Sequence, residues 1–378
     1  MSTARYHNPR TNTTWPVNVA LSVAPDDQGY LDLTPGDGLT PAMIDGSAIG
    51  LWRYAAAIRL PYAQPTVSLG EGWTPLLQRR WRGTPIAIKC EHLMPTGSFK
   101  DRGVAVLLNY LAQTGIDRFL EDTSGNTGSS MASYAAALGL KARIVMPDTA
   151  PEAKRIHPRF MGAEVIEVSG GREAAASRIA LERQSTFYAG HNWQPFFIEG
   201  IKTLALELWE QMRFGAPDVV VVPVGQGSNL MGCHIGFGEL LRRGQIERMP
   251  RLFGVQARNC APYARAFDAA DHQVPPDFQA RATIADGIAS ERPVRLPNVI
   301  AAAAETGGII TQVDEAQIVQ AWKDVARLGL FVEPTGAVAL AGTTQLIEQG
   351  LIGANERVVA VTTGTGLKAV AKAAAALG

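Results

Sequence analysis

The start of a helix is a poor place for a positive charge, and PTGSFKDRG at 95–103 puts Lys100 there. An ammonium opposes the positive end of the helix dipole, and partial burial pushes the same way, so both favour the neutral amine. That is the form that condenses with an aldehyde to give a Schiff base. Ser98 is the expected N-cap of a helix over 99–113. Taken alone, the segment also reads as a solvated lysine beside a helix start.

Three further segments carry groups suited to holding a ligand. In DTSGNTGSSMASYAAALG, 122–139, small residues open an Ala-rich helix. Its first N–H groups, expected to be unpaired near Ser129 and Ser130, can seat a carboxylate or phosphate, with Asn126 and Thr127 adding an amide and a hydroxyl. A strand-to-helix turn with capping serines explains the same residues. In VVVVPVGQGSNLMGCHIG, 219–236, a β-branched run leads into Gly225, Gln226, Gly227, Ser228 and Asn229, where glycines let the backbone approach a phosphate. The spacing is not G-x-G-x-x-G, and the next strand ends in Gln256 with no acidic residue for a ribose, which counts against a nicotinamide dinucleotide; no Gly-Lys-Ser/Thr follows for a nucleotide P-loop. In VVAVTTGTGLK, 358–368, a strand ends in hydroxyls, where Thr363, with Thr362 and Thr365 as competitors, could meet the ring nitrogen of a cofactor. A hydroxyl does not support a pyridinium charge as a carboxylate would, which suits elimination or replacement over transamination.

These segments need a scaffold of strands that deliver their carboxyl ends to one place. Strands are expected over 86–89, 142–146, 165–168, 219–222, 252–256 and 358–362, alternating with helices of ten or more residues. That alternation implies right-handed βαβ units and mainly parallel sheet, without a repeat of fixed period. Residues 1–48, turn-rich with prolines at 9, 16, 25, 35 and 41, read as an extension wrapped on the body, and the chain is expected to cross between lobes near 185–195.

Length and composition agree. The 378 residues exceed one usual domain, and 46% hydrophobic with 19% charged residues is a globular balance. Lys plus Arg equals Asp plus Glu at 35 each, with no basic block to recruit nucleic acid or a membrane surface. Cys90, Cys233 and Cys260 form no C-x-x-C pair and read as buried apolar residues of a reducing compartment. No run approaches the ~20 apolar residues of a membrane span, so the expected location is cytoplasmic.

In order, the segments resemble the fold-type II pyridoxal-phosphate enzymes, and within them the threonine synthases. LWRY (51–54), SLGEGWTPL (68–76), PTGSFKDRG, SGNTG, PVGQGSN (223–229) and TGTGLK (363–368) carry the resemblance over about 50–378. It implies two doubly wound α/β lobes of the tryptophan synthase β-like kind, with pyridoxal 5'-phosphate between them, and a homodimer. The lobes are expected as 96–188 (small, mobile) and 50–95 plus 189–378 (large), after a zinc-free extension over 1–49. The resemblance implies Lys100 as the Schiff-base lysine, Asn126 at the cofactor's phenolic oxygen, 225–229 at its phosphate and Thr363 at its ring nitrogen. Ser124, Gly125 and Thr127 would take the substrate carboxylate.

Three departures bear on the substrate. Similar enzymes carry two C-x-x-C pairs near the N-terminus, whereas the regions around 7–10 and 25–28 have no cysteine, so no metal is expected. In HNWQPFFIEGIKT, 191–203, Phe197 stands where threonine synthases acting on phosphohomoserine place an arginine before the Ile198-Glu199 pair. A phosphate-clamping arginine is worth roughly 1.5–3 kcal/mol, which an apolar ring does not replace; Lys154, Arg155, Arg159 and Arg258 are other sources of a clamp. TIADGIAS at 283–290 and FVEPTGA at 331–337 are more similar to the serine and threonine dehydratases. The expected activity is therefore a lyase on a small amino acid, threonine synthase-like, with a dehydratase second and a cysteate-synthase-like β-replacement third. A non-catalytic cofactor-binding protein or a nicotinamide-dependent reductase is the reading from another class.

Overall fold

A computed structural model describes residues 4–62, 65–123, 125–169 and 171–377, without the side chains of 171–174 and 176. In chain order the strands are β1 (Arg5–Asn8), β2 (Thr13–Pro16), β3 (Asp32–Leu33), β4 (Leu76–Trp81), β5 (Thr84–Cys90), β6 (Arg118–Asp122), β7 (Lys141–Pro147), β8 (Glu164–Val168), β9 (Phe187–Tyr188), β10 (Val219–Pro223), β11 (Arg251–Ala257), β12 (Ile310–Val313) and β13 (Val358–Thr362). The helices that matter below are α1 (Lys100–Gln113), α2 (Asn126–Leu138), α3 (Glu152–Phe160), α4 (Gly171–Glu182), α5 (Pro195–Ile201), α6 (Thr203–Gln211) and α7 (Ser228–Arg242).

The chain divides into two compact units, Met1–Gly72 with Lys100–Ile201, and Trp73–Phe99 with Lys202–Gly378. These bounds depart from the expected 50–95, 96–188 and 189–378, and the second crossing falls after Ile201, beyond 185–195. The reason is the packing of α5 on α1. At Gly200 a Cβ would fall 2.1 Å from the Arg102 carbonyl oxygen, and at Gly103 it would fall 2.4 Å from the Phe197 ring, so the two helices meet through glycines. Arg59 adds a two-pronged ion pair to Glu199, Nε to Oε1 at 2.9 Å and Nη2 to Oε2 at 3.0 Å.

The first unit carries a parallel sheet in the order β8-β7-β6-β9, and a small antiparallel sheet β2-β1-β3 formed by the N-terminal segment. Leu120, Val145, Ala175, Ile179 and Tyr188 form a core between the parallel sheet and α4. Tyr6 of β1 is fully buried, and its hydroxyl lies 2.6 Å from that of Tyr110 on α1.

The second unit is a six-stranded sheet, β12-β11-β10-β13-β5-β4, parallel except for the β4–β5 hairpin at one edge. All five residues of β10 are buried, as a strand covered on both faces must be. The helix Pro334–Glu348 packs on β10, β11 and β13, and α7 packs on β10 and β11. The chain winds from β10 to β11 to β12 in one direction, then returns to lay β13 between β10 and β5. Such a reversal opens a crevice at the carboxyl ends of the strands, where open α/β sheets bind ligands.

Candidate active site

In the second unit, Val219 pairs with Val358 and Val221 with Ala360, so β10 and β13 end side by side. The residues following each strand therefore share one edge: Val224–Gly227 after β10 and Thr363 after β13. Gly227 has φ 80°, and a Cβ there would sit 2.3 Å from Val299 Cγ2, so this turn needs glycine. No side chain caps α7, leaving its first N–H groups directed at whatever the turn holds. Asn229, buried, has neither amide atom in a hydrogen bond. Gln226 behaves differently from its neighbours. Its Nε2 donates to Ser290 Oγ and to Arg292 O (2.9 Å), and its Oε1 accepts from Val294 N at 3.0 Å. Its side chain braces the turn.

The three threonines separate cleanly. Thr362 Oγ1 is engaged, 3.0 Å from Lys89 O and 2.9 Å from His92 Nδ1. Thr365 is half-buried, and its Oγ1 accepts the Leu367 N–H at 3.4 Å. Thr363 is 3% exposed and its Oγ1 has no partner, an arrangement that costs stability unless a ligand completes it. Nearby, the Phe99 N–H donates to Thr363 O at 3.0 Å, fixing the residue before Lys100 to this strand end. Ser98 pairs in a β-bridge with Gly364, and its hydroxyl makes no hydrogen bond, so it does not serve as the expected N-cap.

In the first unit Lys100 is the first residue of α1 and is half-buried, with Nζ 5.3 Å from the centre of the Phe197 ring. The α2 helix begins at Asn126, earlier than expected. Gly125 is its N-cap and no side chain caps it; the Ser129 N–H already reaches Gly125 O at 3.4 Å, so the helix starts ahead of the N–H groups near Ser129 and Ser130 that the sequence pointed to. Ser124 lies outside the described residues. Ser130 Oγ donates to Asp101 Oδ1 at 2.5 Å, tying α2 to α1. Of the cations considered for a clamp, Arg155 and Arg159 pair with Glu167, and Arg258 is exposed in the other unit. Lys154 of α3 is buried against the turn, where a Cβ on Gly125 would lie 3.3 Å from its Nζ.

Two residues that sequence reasoning passed over stand beside these. Glu121 and His191 form a buried pair with Oε1 2.6 Å from Nδ1, and His191 stacks edge-on against Phe197. Burial and the neighbouring Asp122 push the Glu121 carboxyl well up; burial, reinforced by Lys100, pushes the imidazole well down. The segments LWRY and SLGEGWTPL also gain a role. Trp52 Nε1 and Tyr134 OH donate to Glu71 at 2.6 and 2.7 Å in the first unit, while Glu207 takes the Trp73 and Thr74 N–H groups at 2.7 and 2.9 Å in the second.

The chain belongs to the pyridoxal-phosphate-dependent enzymes, whose family model matches residues 67–364. Within that class, its relatives include the threonine synthase of Methanocaldococcus jannaschii, 35% identical over 85% of this chain and 81% of the relative. That of Bacillus sp. is 34% identical over 84% and 89%. Among solved structures, the threonine deaminase of T.th. matches with a TM-score of 0.65 and 28% identity, covering 77% of this chain and 92% of that one. A threonine deaminase from Solanum lycopersicum reaches 0.69 at 24% identity, over 91% and 98%, and speaks to the fold alone. The chain is thus a fold-type II, pyridoxal-phosphate-dependent lyase of threonine synthase-like kind. Its residues fit the cofactor: the unpartnered Thr363 hydroxyl, the unpartnered Asn229 amide and the glycine turn have the chemistry that a ring nitrogen and a phosphate require. Among the described residues no helix is long and apolar enough to cross a membrane, and no three His, Cys, Asp or Glu residues gather as metal ligands.

Proposed function

We propose that the chain removes a leaving group from the side chain of a small amino acid, then either adds water, as a threonine synthase does, or releases an oxo acid and ammonia. When bound, pyridoxal phosphate supplies the electron sink for loss of the α-proton. Lys100 would hold it covalently and, when its amine is free, would move that proton. The amides of 225–229 with Asn229 hold the phosphate, Asn126 the phenolic oxygen, and Thr363 the ring nitrogen. Gly125 and Thr127, with Ser124, bind the substrate carboxylate on the uncapped start of α2, and Lys154 adds positive charge behind that turn.

The observation that carries this reading is Thr363, a buried hydroxyl without a partner beside the glycine turn. A hydroxyl there leaves the ring nitrogen uncharged and favours elimination. Phe197 favours the second reading, an amino-acid dehydratase, because no guanidinium stands at that position. Borohydride treatment of the purified protein should fix the cofactor on the peptide containing Lys100; labelling of another lysine overturns the assignment. Assays of phosphate, oxo acid and ammonia with phosphohomoserine, threonine, serine and phosphoserine then separate the two outcomes.

A further inference from the structure

Glu121 and His191 make a buried acid–base pair that the proposal above leaves without a task. Glu121 is fully buried in β6. Its Oε1 lies 2.6 Å from His191 Nδ1, and its Oε2 accepts the His191 peptide N–H at 3.1 Å. The other ring nitrogen, Nε2, lies 3.4 Å from Thr127 Oγ1, so the imidazole spans from the carboxyl to the α2 turn. Phe197 stands against the ring at 5.2 Å, and Lys100 Nζ lies 5.3 Å from Phe197. The pair is thus continuous with three residues assigned to substrate and cofactor.

We infer that His191, held by Glu121, gives the proton with which an uncharged hydroxyl leaves, so that the substrate is a small hydroxy amino acid and not a phosphorylated one. The inference rests on the reading that the 125–127 turn receives the substrate carboxylate. Phosphate leaves as a stable anion and asks for a cation. Hydroxide is a poor leaving group and must be protonated as the carbon–oxygen bond breaks. This cluster offers a proton, and the Phe197 ring beside it offers no charge to a phosphate.

The step balances. The carbon–oxygen bond breaks with its electron pair on oxygen, which takes the Nε2 proton and departs as water. Nδ1 takes the proton of Glu121, leaving a carboxylate. Lys100, having taken the α-proton, is an ammonium, and its charge favours that carboxylate. One proton passed back from Lys100 to the pair restores the start. The burial that raises the carboxyl and lowers the imidazole keeps the pair in its uncharged, proton-bearing form beforehand. Asp122, which accepts from the Tyr188 hydroxyl at 2.6 Å, adds to the upward push on Glu121. Glu121 acts through His191 and is a positioning residue.

The test compares holoenzyme turnover of L-serine and L-threonine with that of β-chloro-L-alanine, whose chloride leaves without a proton. His191→Gln is expected to lower kcat on the hydroxy amino acids about 100-fold more than on β-chloroalanine, with KM little changed. Glu121→Gln should show the same selectivity to a smaller degree. Equal losses on both kinds of substrate would mean a structural role and overturn the inference. So would a wild-type enzyme that consumes phosphohomoserine and β-chloroalanine but neither hydroxy amino acid, an outcome that leaves the lyase reading standing. A wild type inert to every one of these substrates sinks the lyase reading itself, and the inference with it.

Discussion

Thr363 and its neighbours illustrate how hydrogen-bond accounting separates residues that sequence treats alike. The pattern TTGT offers three hydroxyls, and nothing in their spacing says which one is spoken for. The structure engages Thr362 with Lys89 O and His92, and leaves Thr363 Oγ1 unmet. Thr363→Val is expected to weaken cofactor binding about 5–10-fold, the loss of one hydrogen bond of about 1 kcal/mol. Without cofactor the variant should melt at or above the wild type, because a buried unmet hydroxyl is gone. Cofactor titration and a thermal melt read the two effects, and a variant with unchanged affinity would exclude Thr363 from the ring contact. His92 gives a pH signature. Burial, partly opposed by Glu91, lowers its pKa from 6.5 to about 4. Between those values the unfolded chain binds a proton and the folded one does not, so stability is full above about 6.5 and declines as pH falls toward 4. Melting temperatures at pH 7.5 and 5 should fall further apart in wild type than in His92→Gln. Lys100 and the 225–229 turn stood out as candidates because their types and order are distinctive. Glu121 and His191 gave no such signal, since a glutamate near the end of one strand and a histidine 70 residues on share no local pattern.

At the level of elements, a continuous β-branched run was easy to find and a short strand broken by charge was not. VVVV reads as β10 at once. RFLED does not read as β6, because Arg118, Glu121 and Asp122 interrupt the apolar run; it is a strand because Phe119 and Leu120 are buried and Glu121 finds His191. The short α5 was likewise not read from the sequence, and its packing on α1 moved the unit boundary. That contact admits no side chain at Gly200. Gly200→Ala places a methyl group 2.1 Å from the Arg102 carbonyl oxygen and is expected to cost about 3 kcal/mol or more, against the usual 1–3 for overpacking. Because α1 begins at Lys100 and α5 carries Phe197, the same substitution should disturb borohydride labelling as well as the melting temperature. A neutral result would mean that α5 does not sit on α1 as described.

On the scale of the whole chain, composition and length announced two bodies, but not which stretches each would take. The N-terminal residues read as an appendage, yet Tyr6 is a core residue of the first unit. Its hydroxyl lies 2.6 Å from that of Tyr110, which donates to Val17 O at 3.0 Å. Tyr6→Phe should cost about 1 kcal/mol and speed proteolytic cleavage within the first 60 residues; equal cleavage rates would make the segment's attachment independent of this pair. The order of strands in the second sheet also bears on biosynthesis. Every element of the first unit has left the ribosome once Ile201 emerges, so this body can fold while translation continues. The second is held open to the last: β5, made early, has no parallel neighbour until β13, the final strand, arrives to fill the gap beside β10. A ribosome stalled before residue 358 therefore leaves a helix-bearing lysine already set in finished structure and a central sheet missing its keystone, and such nascent chains should need chaperone protection that full-length ones do not.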